Sequence, residues 1–189
     1  MSDARSDLLA LLKEKSFATG EFTLASGKTS NYYIDCRLTT LDPAGAAHLG
    51  RVFLHLIQTE AANRGVTVNA TGGLTMGADP MAVATSLTSH LQGGPPVNAI
   101  CVRKEPKGHG KGKQVEGNFQ QRDVVVVLDD VITTGGSTLK AIDAIEREGG
   151  MVPFVLVLVD RQEGGNKAIE DAGYPVVAAF TRDELMGRV

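Results

Sequence analysis

Two hydrophobic periods alternate along the chain, and together they predict a regular succession of helices and strands. Apolar residues recur at helical spacing from Asp3 to Lys15, and a second helix is predicted from Asp42-Pro43 towards Gly65. Apolar runs rich in β-branched residues predict strands over 66–70, 97–102, 124–128, 152–159 and 176–180. Further helices are predicted over 78–91, 139–148 and 166–172, and Thr181 is expected to cap a closing helical turn.

Strands separated by helix-length segments predict an α/β fold, in which helices cover both faces of a central parallel sheet. The carboxyl ends of parallel strands meet at one edge of such a sheet, so the functional loops are expected there. The segment from Phe22 to Arg37 falls outside this alternation. Its two strand-like runs flank Ser26-Gly27-Lys28 and predict a separate hairpin.

Length and composition indicate a single domain over residues 1–189. The chain has 189 residues, of which 42% are hydrophobic and 22% charged. Its longest apolar stretch, from Met151 to Val159, is far shorter than the ~20 residues that a membrane-spanning helix needs. The amino terminus lacks a signal-peptide core, and Cys36 and Cys101 are too few for a disulfide framework. We therefore expect a cytoplasmic protein with reduced thiols and no membrane partner.

The net charge of −3 argues against a nucleic-acid partner, because nucleic-acid-binding proteins normally carry a basic face. Cations are nevertheless concentrated between Arg103 and Lys113, where the single acid is Glu105 and glycine alternates with lysine and histidine. Taken alone, this segment fits a solvated surface turn. Beside a phosphate site, it becomes a candidate for binding anionic groups.

The most informative stretch joins a buried strand to two acids and a turn of small residues. The strand from Val124 to Leu128 is expected to be covered on both faces, with Asp129 and Asp130 at its carboxyl end. The turn from Thr133 to Thr138 leads into a helix, whose first amide groups have no partner within the helix and can bind a phosphate. The acids can accept hydrogen bonds from sugar hydroxyls. The stretch therefore predicts a site for a phosphorylated sugar.

This stretch resembles the phosphoribosyl pyrophosphate (PRPP) loop of the type I phosphoribosyltransferases, in which two acids, two apolar residues, a threonine and a glycine-rich turn follow an apolar strand. The alternative is an Asp-rich turn that only caps the next helix, for which one acid would suffice. A Walker loop is excluded because Gly112-Lys113 is followed by Gln114, and no Gly-x-Gly-x-x-Gly follows a strand. The resemblance implies the type I fold, with an amino-terminal hood formed mainly by residues 1–40.

Four more segments are similar, in the same order, to those of the orotate phosphoribosyltransferases. They are the hood signature over 22–37, the pyrophosphate-side loop over 72–80, the catalytic loop over 103–110 and the arginine segment over 159–163. The resemblance implies that the 5-phosphoribosyl group passes from PRPP to orotate, giving orotidine 5′-monophosphate and pyrophosphate in pyrimidine biosynthesis. It further implies a homodimer with shared active sites, in which the catalytic loop reaches the neighbouring subunit.

The resemblance also implies roles for residues at matching positions. The catalytic candidates are Lys104, Lys107, His109, Asp129 and Asp130. PRPP is expected to contact these five and Arg103, Val131, Ile132, Thr133, Thr134, Gly135, Gly136 and Ser137. Orotate is expected to contact Tyr32, Tyr33, Thr133 and Arg161. Mg²⁺ is the implied cofactor, held mainly through PRPP, and a water-mediated contact with the acid pair is left open.

Some of these roles have alternatives. Arg161 could pair with Glu163 instead of the substrate, and Tyr32 and Tyr33 could only pack the hairpin onto the core. The loop histidine could donate a proton or bind pyrophosphate.

The chain departs from the pattern of this family in two places. Many members of the family carry lysines where this chain has Ala25 and Met76, so those contacts are not carried over.

Two other functions compete with this interpretation, namely a purine phosphoribosyltransferase and a regulator that binds PRPP without turnover. The hood and loop motifs favour orotate over a purine, and the complete acid pair and cationic loop argue against the regulator.

Overall fold

The computed structural model describes residues 2–23, 29–106 and 113–188. Helix α1 (Ser2–Leu11) continues into a π-helical turn (Leu12–Ser16), which is followed by strands β1 (Phe17–Thr23) and β2 (Thr29–Ile34). Next come α2 (Arg37–Thr40), α3 (Pro43–Arg64), β3 (Ala70–Leu74), α4 (Asp79–Leu91), β4 (Asn98–Val102), β5 (Val115–Gly117) and β6 (Val125–Ile132). The last elements are α5 (Gly136–Arg147), β7 (Val155–Asp160), α6 (Gly165–Asp171), β8 (Val176–Thr181) and α7 (Arg182–Leu185).

Strands β3 to β8 form a six-stranded sheet in the order β5-β4-β3-β6-β7-β8. Neighbouring strands are parallel except at the edge, where β5 pairs antiparallel with β4. The predicted parallel sheet is thus confirmed for β4, β3, β6, β7 and β8, and β5 makes the whole sheet mixed. From the central pair β3 and β6, the chain continues outward in opposite directions. This is the topological switch point at which open α/β sheets bind ligands.

Alternate residues of the central strands face two hydrophobic cores, and helices cover both faces as predicted. In β6, Val126 and Leu128 face the core that contains residues of α1, α3 and α4. Val125 and Val127 point the other way, into the core that contains residues of α5 and α6. A strand buried on both faces explains the unbroken apolar run in the sequence.

Strand β3 begins at Ala70, so the prediction of a strand over 66–70 was wrong in position. Gly72 and Gly73, which the prediction left in a loop, are buried within β3. A Cβ atom at Gly72 would clash with the carbonyl oxygen of Ile100, and one at Gly73 with that of Leu128. Both glycines are therefore required by the close approach of the neighbouring strands, and they do not mark a turn.

Strand β6 continues to Ile132, so Asp129 and Asp130 lie within the strand instead of following it. The elements α2 and β5 were not predicted, because they have four and three residues and show no periodicity of their own. The predicted helix caps are present. Asp42 Oδ1 accepts the amides of Ala44 and Gly45 at 3.0 Å at the start of α3.

The hairpin predicted around 22–37 is confirmed, although its first strand begins earlier, at Phe17. Strands β1 and β2 pair antiparallel from Phe17 opposite Ile34 to Thr23 opposite Thr29, and they form a sheet of their own. Residues 24–28, including Ser26, Lys28 and the departure at Ala25, lie outside the described residues. Within the described ranges, no helix is both long enough and apolar enough to cross a membrane.

Candidate active site

A cleft of about 390 Å³ opens between the hairpin and the carboxyl ends of β3 and β6. Its hairpin side consists of Tyr33, Ile34, Asp35, Cys36 and Arg37. Its sheet side consists of Leu74, Thr75, Met76, Gly77, Lys104, Asp129, Asp130, Val131 and Ser137. The switch point of the sheet thus brings both predicted acids, one predicted cation and one residue of the predicted phosphate turn into one cleft.

Asp129 is held by two hydroxyl groups from the first turn of α5. Its Oδ2 accepts hydrogen bonds from Ser137 Oγ at 3.0 Å and from Thr138 Oγ1 at 2.5 Å. Burial raises the pKa of Asp129 to about 6; the hydroxyl groups act in the opposite direction, and the neighbouring Asp130 raises it further. The carboxyl group is therefore charged above about pH 6, and this charged form accepts hydrogen bonds from sugar hydroxyls.

Asp130 faces the loop that follows β3. Its Oδ1 accepts the amide of Val131 at 3.0 Å. A Cβ atom at Gly77 would lie 2.6 Å from this same oxygen, so a side chain at that position would displace the carboxylate. Burial raises the pKa of Asp130, and the nearby charge of Arg37 opposes that shift.

The predicted phosphate turn follows directly. Gly135 has a φ of 79° and is the residue before α5, which begins at Gly136, three residues earlier than the predicted start at Leu139. Val131 and Ser137 line the cleft, whereas the predicted contacts Thr133, Thr134, Gly135 and Gly136 form the turn beside it. The Ile132 side chain is only 1% exposed and belongs to the core, so a contact from this residue to PRPP would involve its backbone.

Two hydrogen bonds of Thr75 hold the loop that follows β3. The Thr75 amide donates to the carbonyl oxygen of Val102 at 2.8 Å, and Thr75 Oγ1 donates to Asp79 Oδ2 at 2.5 Å. Met76, one of the two departures named in the sequence analysis, is 61% exposed and lines the cleft. The sheet side of the cleft therefore offers a thioether at this point instead of a cation.

The two cations at the start of the catalytic loop point in different directions. Lys104 lines the cleft of its own chain. Arg103 is turned towards Glu116, with Nη1 3.7 Å from Oε1. Lys107 and His109, the other two predicted cations, lie outside the described residues.

The predicted orotate contacts lie on both sides of the hairpin. Tyr33 is 43% exposed and lines the cleft, whereas Tyr32 is 5% exposed and packs against Phe17. The Arg161 guanidinium lies 4.8 Å from the centre of the Tyr32 ring. Arg161 is thus held beneath the hairpin, immediately after β7, with 7% of its surface exposed.

Arg161 also pairs with Glu163, which is the alternative that the sequence left open. Glu163 Oε1 accepts hydrogen bonds from the Tyr32 hydroxyl at 2.8 Å and from Arg161 Nε at 3.1 Å. Arg161 Nη2 lies 3.0 Å from the same oxygen, but in a geometry that forms no hydrogen bond, and it has no other acceptor among the described residues. One buried donor of Arg161 therefore keeps unused hydrogen-bonding capacity.

The sequence analysis did not single out three residues of the hairpin side. Asp35 and Arg37 form an ion pair, with Arg37 Nε 2.8 Å from Asp35 Oδ1, where β2 ends at the cleft. Burial raises the pKa of the Cys36 thiol well above its usual value, so Cys36 contributes an uncharged group. Charged residues directly after a short strand were the available signal for Asp35 and Arg37.

Known proteins resemble the chain over nearly its whole length, although no protein-family model matches it. An orotate phosphoribosyltransferase of Rhodopirellula baltica is 46% identical over 168 residues, which are 88% of this chain and 86% of the relative. One from Thermosynechococcus vestitus is 45% identical over 186 residues, 98% of this chain and 94% of the relative. The structure of the Mycobacterium tuberculosis orotate phosphoribosyltransferase with PRPP is 32% identical, with a TM-score of 0.77 over 97% of this chain and 99% of that chain.

Proposed function

The chain belongs to the family of orotate phosphoribosyltransferases, and on this premise we propose how its cleft transfers the 5-phosphoribosyl group of PRPP to orotate. It is a pentosyltransferase, and its products are orotidine 5′-monophosphate and pyrophosphate, in pyrimidine biosynthesis. The observation that carries the proposal is the convergence of Asp129, Asp130, Lys104 and the start of α5 in one cleft.

The sheet side of the cleft binds the ribose phosphate. The free amides at the start of α5, with the hydroxyl group of Thr134, bind the 5′-phosphate of PRPP, while the Ser137 hydroxyl donates to Asp129. Asp129 and Asp130 accept hydrogen bonds from the ribose hydroxyls, and their burial at the end of β6 keeps them in place. These contacts hold the sugar while its C1 loses pyrophosphate.

Asp129 and Asp130 would hold Mg²⁺ only together with oxygen atoms from the substrate and from water. Among the described residues, no group of three or more His, Cys, Asp or Glu side chains could hold a metal ion. Asp129 and Asp130 supply the oxygen atoms that Mg²⁺ prefers, directly or through water, and substrate oxygens and water would supply the rest. When bound, the ion would neutralise charge on the pyrophosphate. Titration of the enzyme with Mg²⁺ in the presence and absence of PRPP tests this, because metal binding should require PRPP.

Cations stabilise the leaving group. Lys104 lines the same cleft as the acid pair, so its ammonium group is available to the pyrophosphate. Lys107 and His109 are proposed to act with it on the same charge, as their positions in the catalytic loop imply. A donor that strengthens its interaction as charge develops lowers the barrier to transfer, and the loss of one such donor typically lowers kcat ~10²–10³-fold.

Orotate lies between the hairpin and the end of β7. The unused donor Nη2 of Arg161 is suited to its carboxylate, and the exposed ring of Tyr33 is suited to its pyrimidine ring. Thr133 and Tyr32 complete the proposed contacts. The substrate carboxylate would compete with Glu163 for the guanidinium, so binding requires Arg161 to share or exchange its partner.

A panel of bases tests the function directly. The enzyme is mixed with Mg²⁺ and PRPP, and pyrophosphate release is measured with orotate, adenine, hypoxanthine or guanine. Release with orotate alone is expected. Comparable turnover of a purine with none of orotate would establish the competing purine phosphoribosyltransferase, and no turnover of any base despite PRPP binding would favour the regulator.

We also propose that the enzyme is a homodimer with shared active sites. On α4, Val83, Leu87 and Leu91 are 57%, 56% and 74% exposed along one side of the helix. The helix carries no Lys, Arg, Asp or Glu between Pro80 and Leu91. A helix side that exposes large apolar side chains without these charged residues fits burial against a second copy.

Mixed dimers test the sharing of sites. Because Lys104 lines the cleft of its own chain, Arg103, which is turned away from that cleft, is the residue to pair with Asp129. Arg103→Ala and Asp129→Asn subunits are coexpressed with different tags, and the heterodimer is isolated. If the two residues act from different chains, one of its two sites has both defects and the other has none. Recovery of about half the wild-type activity is then expected, whereas a heterodimer as inactive as its parents would contradict sharing.

The cytoplasm is the proposed location. Cys36 and Cys101 are both free thiols, which is typical of a reducing compartment. Fractionation of the source cells, with antibody detection of the protein, tests this assignment.

A further inference from the structure

A cluster of hydrogen bonds outside the cleft holds the base of the catalytic loop, and Gln114 is its centre. Gln114 is 8% exposed although it is polar. Its Nε2 donates to the carbonyl oxygen of Arg103 at 2.8 Å, and its own carbonyl oxygen accepts the Arg103 amide at 2.9 Å. Both backbone groups of Arg103 are therefore bound to one residue.

The carboxyl-terminal end of α5 supplies the other partners of Gln114. Glu148 Oε1 accepts the amide of Gln114 at 2.5 Å and the amide of Val115 at 3.0 Å. Arg147 Nη2 donates to Gln114 Oε1 at 3.0 Å. Each backbone and side-chain polar group of Gln114 thus has a partner, as buried polar groups require.

These contacts connect the loop base to the cleft through a single helix. Lys104 directly follows Arg103 and lines the cleft. Helix α5 begins beside the acid pair and ends where it holds Gln114. We propose that Gln114 is a positioning residue, which fixes Lys104 relative to the phosphate turn. The inference rests on the proposed transfer, in which Lys104 stabilises the leaving pyrophosphate.

Gln114→Met is the first variant, because methionine keeps the length and volume of the side chain and removes its donor and acceptor. We expect kcat to fall about tenfold, since small displacements of a group that acts in the transition state are costly. The KM for orotate should change less than about twofold, because orotate binds on the other side of the cleft.

A double-mutant cycle with Lys104→Ala separates positioning from general damage. If Gln114 acts through Lys104, adding Gln114→Met to Lys104→Ala should lower kcat no further. Multiplication of the two separate losses in the double variant would overturn the proposal, because a merely structural role is independent of Lys104.

Glu148 provides a matched series. Glu148→Ala removes the acceptor of both loop amides and should lower kcat as Gln114→Met does, whereas Glu148→Gln keeps an acceptor oxygen and should restore it. Glu146→Ala is the control, since Glu146 lies two residues before Glu148 but accepts the hydroxyl of Tyr174 at 2.9 Å and forms no side-chain hydrogen bond to a described loop residue. Equal losses in Glu146→Ala and Glu148→Ala would contradict the proposal.

Hydrogen exchange measured by mass spectrometry gives a readout without turnover. Gln114→Met and Glu148→Ala should accelerate exchange in peptides covering 101–106 and 113–117, while peptides from β6 keep their protection. Unchanged exchange in the loop peptides would refute the positioning role even if the wild type transferred no phosphoribosyl group to orotate. A wild type inactive with orotate, but with the expected exchange pattern, would reject the proposed function alone.

Discussion

The two walls of the cleft are built in different ways. The sheet wall, formed by β3, β6 and the start of α5, continues directly into buried strands. The hood wall, formed by β1 and β2, is a two-stranded sheet with mainly exposed residues, joined to the rest through Tyr32, Glu163 and Arg161. A two-stranded hairpin is only marginally stable by itself. The sheet wall therefore places its polar groups by burial, and the hood wall takes its position from a few long-range contacts.

The largest effect is expected from Asp130→Asn, which removes one charge from the sheet wall and keeps its shape. We expect kcat to fall ~10²–10³-fold, because the carboxylate serves the sugar and its charge in the transition state. The free energy of unfolding should not decrease, since burial disfavours this charge in the folded protein. Steady-state kinetics and urea unfolding measure both. Asp171→Asn on the exposed surface of α6 is the control, and wild-type kinetics in Asp130→Asn would rule out the sugar-binding role.

Asp129→Asn is expected to stabilise the protein near neutral pH. The folded-state pKa of Asp129 is raised from 3.8 to about 6, so the folded protein retains a proton that the unfolded chain releases. Stability is therefore lost as the pH rises from 3.8 to about 6. The variant avoids this loss and should be about 1–3 kcal/mol more stable than the wild type at pH 7.5, by the ~1.4 kcal/mol per pKa unit.

The advantage of Asp129→Asn should disappear at pH 4, where the wild-type carboxyl group is protonated in the folded state. Urea unfolding at both pH values without substrate measures it. A variant that was destabilised equally at both pH values would show that the hydrogen bonds from Ser137 and Thr138 outweigh the burial of the charge.

On the hood wall, Tyr32→Phe should reduce the free energy of unfolding by about 1 kcal/mol, which is typical for one hydrogen-bonding hydroxyl. It removes the group that donates to Glu163 and accepts from Arg161, and it retains the ring beneath the guanidinium. The KM for orotate should rise, because the hairpin side is less firmly held. Tyr174→Phe, which removes a hydroxyl on an exposed surface, should leave the KM unchanged. A Tyr32→Phe enzyme with the wild-type free energy of unfolding and the wild-type KM for orotate would show that the Tyr32 hydroxyl does not hold the hairpin in place.

The smallest effect is expected from Arg37→Gln at the rim of the hood wall. Arg37 is exposed in its ion pair with Asp35, and exposed ion pairs contribute little to stability because water and salt screen their charges. The loss of unfolding free energy should be smaller than in Tyr32→Phe and should diminish in 1 M NaCl. Unfolding in urea at low and high salt measures it. A loss of unfolding free energy larger than that of Tyr32→Phe, or one independent of salt, would contradict the weak, screened contribution expected of the ion pair between Arg37 and Asp35.

The sheet wall could largely be predicted from the sequence, because its chemistry lies in consecutive residues. The apolar run, the acid pair and the turn before α5 are read from one short segment, and the structure brings Asp129 and Ser137 into contact. Strand β3 was misplaced, because its two glycines look like a loop unless the spacing of the neighbouring strands is known. The unpredicted β5 pairs with β4 across the whole catalytic loop, so no local pattern reveals it.

The hood wall was predicted less completely, because its contacts join residues far apart in the chain. The hairpin itself has a local signal in its two strand-like runs. The hydrogen bond between Tyr32 and Glu163 spans 131 positions, and no periodicity in either segment indicates it. Pairing of Arg161 with Glu163 was foreseen as an alternative, since they are neighbours in the sequence, whereas the ring above Arg161 was not.

Helix α5 connects two parts of the site, because its first turn contacts Asp129 and its last turn contacts Gln114 at the base of the catalytic loop. Its 12 residues span roughly 18 Å at 1.5 Å per residue. A tilt of about 5° around its midpoint would move its ends by about 0.8 Å in opposite directions, at the acid pair and at the loop base. Substitutions in the buried middle of the helix, at Ala141 or Ile142, would therefore displace both ends. A change in core volume, far from any substrate, would then alter the rate of transfer.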